Sequence, residues 1–223
     1  MMTPPDLSLI ETRVLGVLVE KQHTVPDTYP LTLLALTAGC NQKTSRDPVL
    51  NASESEVQAA IDRLKSLTLV VESSGGRVMR YAQNVGRVLT IPAQAVALLA
   101  VLMLRGPQTV GELRINCDRL HRFADTSAVE AFLDELATRQ DGPLVVLLPR
   151  QPGEREARWA HLLSGAPSPT SSTQRVASDT GSNPSAPSSI AALEAQIADL
   201  ADEVEALKAT VAKLSAALGE SAP

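Results

Sequence analysis

Catalysis near neutral pH usually needs a histidine, a nucleophile beside a base, or paired carboxylates. This chain offers few of each. Its three histidines are scattered: His23 reads as a loop residue, His121 lies near a helix end and His161 falls on a strand, with no nucleophile placed beside any of them. Cys40 and Cys117 have neither a CxxC partner nor a histidine at ligand spacing, which predicts buried free thiols. Glu54/Glu56 and Asp134/Glu135 stand at i,i+2 and i,i+1, spacings that do not bring two carboxylates onto one helix face. The sequence contains no GxSxG, no HExxH and no phosphate-cradling glycine loop. The expectation is a non-enzymatic protein with no cofactor and no metal.

Binding chemistry is better represented. Asn41, Gln42, Lys43 and Arg46 crowd the polar loop Asn41–Pro48. Arg77 and Arg80 fall on a first expected hairpin, with Arg155 and Arg158 on a second. Such loop and wing side chains can meet a protein partner or grip phosphate without reading bases. The loop also has a structural reading, in which Arg46 pairs with Asp47 and Asn41 closes the preceding helix.

Charge argues against a global nucleic-acid field: the net charge is −5 and the pI about 5.3. Residues 1–84 carry 8 basic and 9 acidic side chains, 85–165 carry 9 and 9, and 166–223 carry 3 and 7, so most of the excess is in the tail. The opening residues lack the pattern of a signal peptide, and the longest apolar run, Ala93 to Leu104, is too short to span a membrane. A soluble cytoplasmic protein is expected.

The elements that position these residues follow from caps and periodicity. Ser8-x-x-Glu11 and Ser53-x-x-Glu56 are capping boxes that open a first and a third helix, with Leu31 to Cys40 helical between them. Leu69-Val70-Val71 and Val78 to Ala82 flank Ser74-Gly75-Gly76 as a β-hairpin. The order then recurs. Thr90 before Ile91-Pro92 is expected to cap a helix running to Leu104, Thr109-x-x-Glu112 a second, and Ser127-x-x-Glu130 a third. Leu144 to Leu148 and Glu156 to Leu162 form the second hairpin around Gln151-Pro152-Gly153-Glu154.

The repetition shows in the residues: Ser55 to Leu64 matches Ser127 to Leu136 at five of ten positions, and Arg80-Tyr81-Ala82 falls opposite Arg158-Trp159-Ala160. The expected fold is mainly α with small β-hairpins (α+β): two tandem winged-helix domains, 1–84 and 85–163. A Ser/Pro/Thr-rich stretch, 164–189, reads as a disordered linker. In 190–218, Ile190, Leu193, Ile197, Leu200, Val204, Leu207, Val211, Leu214 and Leu218 alternate spacings of three and four. That seam, β-branched at most a positions with Leu at every d, predicts a parallel coiled-coil homodimer.

A winged helix usually reads DNA with its third helix, near that helix's start. Here those starts are acidic: Ser53-Glu54-Ser55-Glu56 in one copy, and Asp125, Glu130 and Asp134 along the other. Acids there repel phosphate, so an unknown protein partner is expected and nucleic acid is disfavoured, with a DNA-binding regulator as the alternative.

Several segments, in order, resemble the bacterial YceH family of uncharacterised proteins. They include Glu20-Lys21-Gln22, Tyr29-Pro30-Leu31, Cys40 to Pro48, Ser53 to Val57, Arg105 to Thr109, Gly111 to Arg114, Asp141-Gly142-Pro143 and Pro152 to Glu156. The resemblance spans about Leu7 to Gly165. It implies tandem winged-helix domains and assigns no activity and no functional residues.

Overall fold

Helix caps decide where the first elements begin. In this computed structural model, which describes residues 5–73, 78–150 and 153–165, Ser8 accepts from the Glu11 amide while the Glu11 carboxylate takes the Ser8 amide, opening α1 (Leu9–Thr24). Thr32 caps α2 (Leu33–Cys40), and a second reciprocal box, Ser53 with Glu56, opens α3 (Glu54–Ser66). Strands β1 (Val70–Ser73) and β2 (Arg80–Gln83) pair antiparallel, with Val71 opposite Ala82. A single helical turn, α4 (Val85–Val88), leads to α5 (Ala93–Arg105), α6 (Val110–Asn116) and α7 (Thr126–Ala137). The hairpin β3 (Val145–Leu147) and β4 (Trp159–His161) follows, with Val146 opposite Ala160.

Three helices and a hairpin therefore occur twice. Each hairpin also gains one extra rung from the residue just before the second helix's cap. Leu31 exchanges both main-chain hydrogen bonds with Tyr81 (3.1 and 2.8 Å), and Gln108 does the same with Trp159 (3.0 and 2.7 Å). Tyr81 and Trp159 are the residues that the sequence repeat aligns, so the two halves match in register as well as in order.

The halves meet along α1 and α5. Glycine makes this approach possible: a Cβ added at Gly16 would lie 2.8 Å from Leu104 Cγ and 3.4 Å from the Ala100 carbonyl. One apolar core runs without a break from Leu7 to Leu163, joining Val14, Leu18 and Ile61 of the first half to Leu98, Leu102 and Leu133 of the second. With aromatics at only 2% of the chain, Leu, Val and Ala fill it. The Leu7 amide donates to the Leu163 carbonyl at 2.7 Å, tying the two ends of this core together.

Four expectations change. Thr90 does not cap α5: a residue before proline is pushed out of helical geometry, so Ile91 stays extended and Pro92 becomes the cap residue. Helix α7 starts earlier than Ser127-x-x-Glu130 implies, because Asp125 accepts from the Ala128 amide at 2.9 Å. The second helix begins at Leu33 and not Leu31, whose main chain is taken by Tyr81. His23 lies in the last turn of α1 and not in a loop. Gly75-Gly76, Arg77, the Gln151-Pro152 turn, nearly all of the expected linker and the whole heptad seam lie outside the described residues.

Candidate functional site

The loop Asn41–Pro48 is bolted to both halves. Arg46 is buried, its side chain fully shielded from solvent. All five of its N–H donors are used: Nε on the Gly39 carbonyl, Nη1 on Glu20 Oε1 and the Ser45 carbonyl, Nη2 on Glu20 Oε2 (2.6 Å) and Gln42 Oε1 (2.6 Å). Its salt bridge is with Glu20, 26 residues earlier, where the sequence suggested Asp47. Asn41 ends α2 and bridges the Ala52 amide and carbonyl, both at 2.8 Å. From below, the buried Arg13 donates to the Cys40 carbonyl (3.1 Å) and the Pro48 carbonyl (2.6 Å). The Asp47 amide bonds the Leu104 carbonyl at the end of α5 (2.8 Å), and Arg105 Nη2 donates to Ser45 Oγ (2.7 Å).

The remaining predicted contacts divide sharply. Lys43 and Arg155 are exposed and make no hydrogen bond or ion pair among the described residues. Arg80, though exposed, donates to the Thr28 and Pro30 carbonyls (3.2 and 2.8 Å). Arg158 occupies the matching place in the second half, donating to the Pro107 carbonyl and pairing with Glu112 (2.6 Å) and Glu154 (3.1 Å). Both arginines thus brace the turn before a second helix. The basic residues on α3 and just beyond α7 are committed too. Arg63 binds Glu11 (3.1 Å) and the Asp6 carbonyl, Lys65 pairs with Glu72, and Arg139 donates to the Leu89 and Thr90 carbonyls.

Between α7 and the second hairpin lies a groove of about 500 Å³. Glu130, Asp134 and Glu156 line it together with Val110, Leu147 and Trp159. None of the three carboxylates has a hydrogen-bond or ion-pair partner among the described residues. Leu147 is 48% exposed beside them. The groove is therefore acidic and partly apolar.

A second recess, of about 420 Å³, opens where the loop, the C-terminal half of α1, α5 and the residues after α6 converge. Its charged lining is Glu20, Lys21, Arg46, Arg105 and Arg119. Ser45, at φ 60°, turns back to receive Arg105 there.

The other chemistry-bearing side chains stand apart. Burial pushes the Cys40 and Cys117 thiols up to about 12, so both stay protonated and unreactive. Burial pushes His161 down to about 4; its Nδ1 is shut from solvent without a hydrogen-bond partner, although part of the residue reaches the surface. His121 stacks edge-on against Phe123 at 4.7 Å. Among the described residues no group of three His, Cys, Asp or Glu is placed to hold a metal ion, and no helix is long and apolar enough to cross a membrane.

Sequence reasoning found Gln42 and Arg46 but missed Lys21, Arg105 and Arg119, which join them only in three dimensions. Residues 7–154 match the profile of a family described as proteins of unknown function, DUF480. A UPF0502 protein of Dechloromonas aromatica is 67% identical over 163 residues, 73% of this chain and 76% of that one. Similar proteins from Methylibium petroleiphilum and Burkholderia multivorans are each 68% identical, over 72% of this chain and 69% and 68% of their own lengths. With the matched segment covering α1 to β3 and the recess beside the loop Asn41–Pro48, the chain belongs to the DUF480 family.

Proposed function

We propose that this is a non-enzymatic adaptor. In this reading two winged-helix domains, 1–84 and 85–163, are joined by the linker 164–189 to a dimerising coiled coil, 190–218. The repeated order of three helices and a hairpin supports the winged-helix assignment, as does the rung that Leu31 and Gln108 each add to a hairpin.

The observation that carries the binding mode is the groove beside α7. A DNA-reading winged helix would bring phosphates against this face, and here it holds three carboxylates unpaired among the described residues. A cationic, partly aliphatic segment of a protein partner complements it. The basic side chains on α3 and just beyond α7 that could reverse that polarity are spent on internal contacts.

Fluorescence anisotropy tests this with two probes at matched ionic strength: a Lys/Leu-rich peptide and a short DNA duplex. The peptide should bind, and Glu130→Lys with Asp134→Lys should abolish its binding. Micromolar duplex binding at physiological salt, weakened by Lys43→Ala or Arg155→Ala, would reverse the conclusion in favour of a DNA-binding regulator.

A further inference from the structure

We infer that the recess between the loop Asn41–Pro48 and α5 is a binding site for a small phosphorylated ligand of nucleotide or sugar-phosphate size, held by Lys21, Arg105 and Arg119. This is separate from the acidic groove and does not depend on the reading of that groove.

Four cations, Lys21, Arg46, Arg105 and Arg119, face the recess against one carboxylate, Glu20. That carboxylate is already occupied: Arg46 binds both its oxygens, and Lys21 approaches Oε2 at 3.5 Å. Arg46 has no donor left to offer, so it acts on the recess through its charge alone. Among the described residues three cations then remain in excess.

Their donors are available. Arg119 makes no hydrogen bond or ion pair among the described residues. Arg105 spends a single N–H on Ser45 Oγ. Among the described residues Lys21 has only Glu20 and a long contact to Gln42 Oε1, 3.4 Å. Thr44 adds a hydroxyl to the lining. Arginine forks and a lysine point charge are the groups that match phosphate oxygens.

Desolvation sharpens the case. Burial holds the Arg105 guanidinium below its ordinary range, and the nearby Arg46 charge lowers it further, against the opposing pull of Glu20. A partly desolvated cation beside a second cation gains most from an anion that enters the same recess. The volume suits a ligand larger than inorganic phosphate. Val101, Leu104 and Leu120 add a small apolar part to an otherwise polar lining. Ligands of this kind would touch both halves of the chain, because Lys21 and the loop belong to the first and Arg105 and Arg119 to the second.

The test uses the full chain and five probes at constant ionic strength: inorganic phosphate, glucose 6-phosphate, AMP, ATP and a short DNA duplex, with chloride as the control. Thermal shift and titration calorimetry are the readouts. At least one organic phosphate should raise the melting temperature by about 5 °C or more near saturation. Its affinity should fall tenfold or more in Arg119→Ala and in Arg105→Ala. Arg119 is exposed and unpaired among the described residues, so its variant should melt like wild type without ligand, which separates lost binding from lost folding. AMP against glucose 6-phosphate identifies whether the phosphate comes from a nucleotide or a sugar. The inference fails if no probe exceeds the chloride control, or if binding survives both substitutions. It also fails if only duplex DNA binds in an Arg119-dependent manner, since that makes the recess part of a polymer surface.

Discussion

Replacing Arg46 with alanine asks whether the polar loop is scaffold or contact surface. The side chain is wholly buried and makes five hydrogen bonds, two of them to Glu20. Removing one member of a buried ion pair costs about 3–5 kcal/mol, because the other charge is left without its partner. Glu20 keeps Lys21 at 3.5 Å and 17% of its side chain reaches solvent. The lower end therefore applies, about 3 kcal/mol. For a chain of this length each kcal/mol moves the melting temperature by about 2–4 °C, which gives a fall of about 6–12 °C. Lys43→Ala, three residues away and exposed, should stay within about 0.5 kcal/mol of wild type. Thermal melts followed by circular dichroism, with urea titrations to check an unchanged m value, measure both. A fall below about 2 °C for Arg46→Ala, or equal falls for the two variants, would refute the reasoning.

The same pair sets a pH dependence. Burial raises the Glu20 carboxyl, but the hydrogen bonds and charge of Arg46, with Lys21, outweigh it and hold it below the ordinary range. A depressed carboxyl contributes stability above its unfolded value, about 4.3, and loses it as pH falls through the folded value. The gap between wild type and Arg46→Ala should therefore narrow below about pH 4.

His161 acts in the neighbouring window. Its folded value of about 4 lies below the unfolded 6.5, so wild type should lose stability progressively as pH falls between them. Melting curves of His161→Gln should be flatter over that range. Gly16→Ala should destabilise, since the new Cβ meets Leu104 Cγ at 2.8 Å. In a Leu104→Ala background the same change should be neutral or favourable, because alanine outranks glycine in a helix by about 1 kcal/mol. Light scattering of the full chain should report a dimer, and of residues 1–165 a monomer. With Cys40 and Cys117 replaced, Leu193→Cys should oxidise to an interchain disulfide if the coiled coil is parallel.

Local chemistry was readable in the sequence, and long-range chemistry was not. Ser8 with Glu11, Ser53 with Glu56 and Thr109 with Glu112 all form the reciprocal caps their spacing implies, because each closes within three residues. At α7 two cap-competent residues lie two positions apart, and local pattern cannot choose between them. Phe123, buried against Phe132 at 5.9 Å, fixes where the chain turns, and Asp125 takes the cap. Arg46 was legible as important but not as buried, since its acceptor comes from a helix 26 residues away. The cationic recess draws on four separated segments, so no spacing in the sequence announces it. The rungs at Leu31 and Gln108 are single residues, too short for any periodicity to reveal.

The close seating of Gly16 against Leu104 has a consequence for recognition. Because α1 and α5 share one core, the two halves are joined by packed apolar side chains, which favours a fixed separation between α3 and α7. If the chain is the adaptor proposed above, the pair would serve as a caliper. A partner carrying two epitopes at the matching distance closes the second contact at high effective concentration, whereas the same epitopes spaced differently engage one at a time. On that reading, selectivity would reside in the partner's spacing as much as in its side chains.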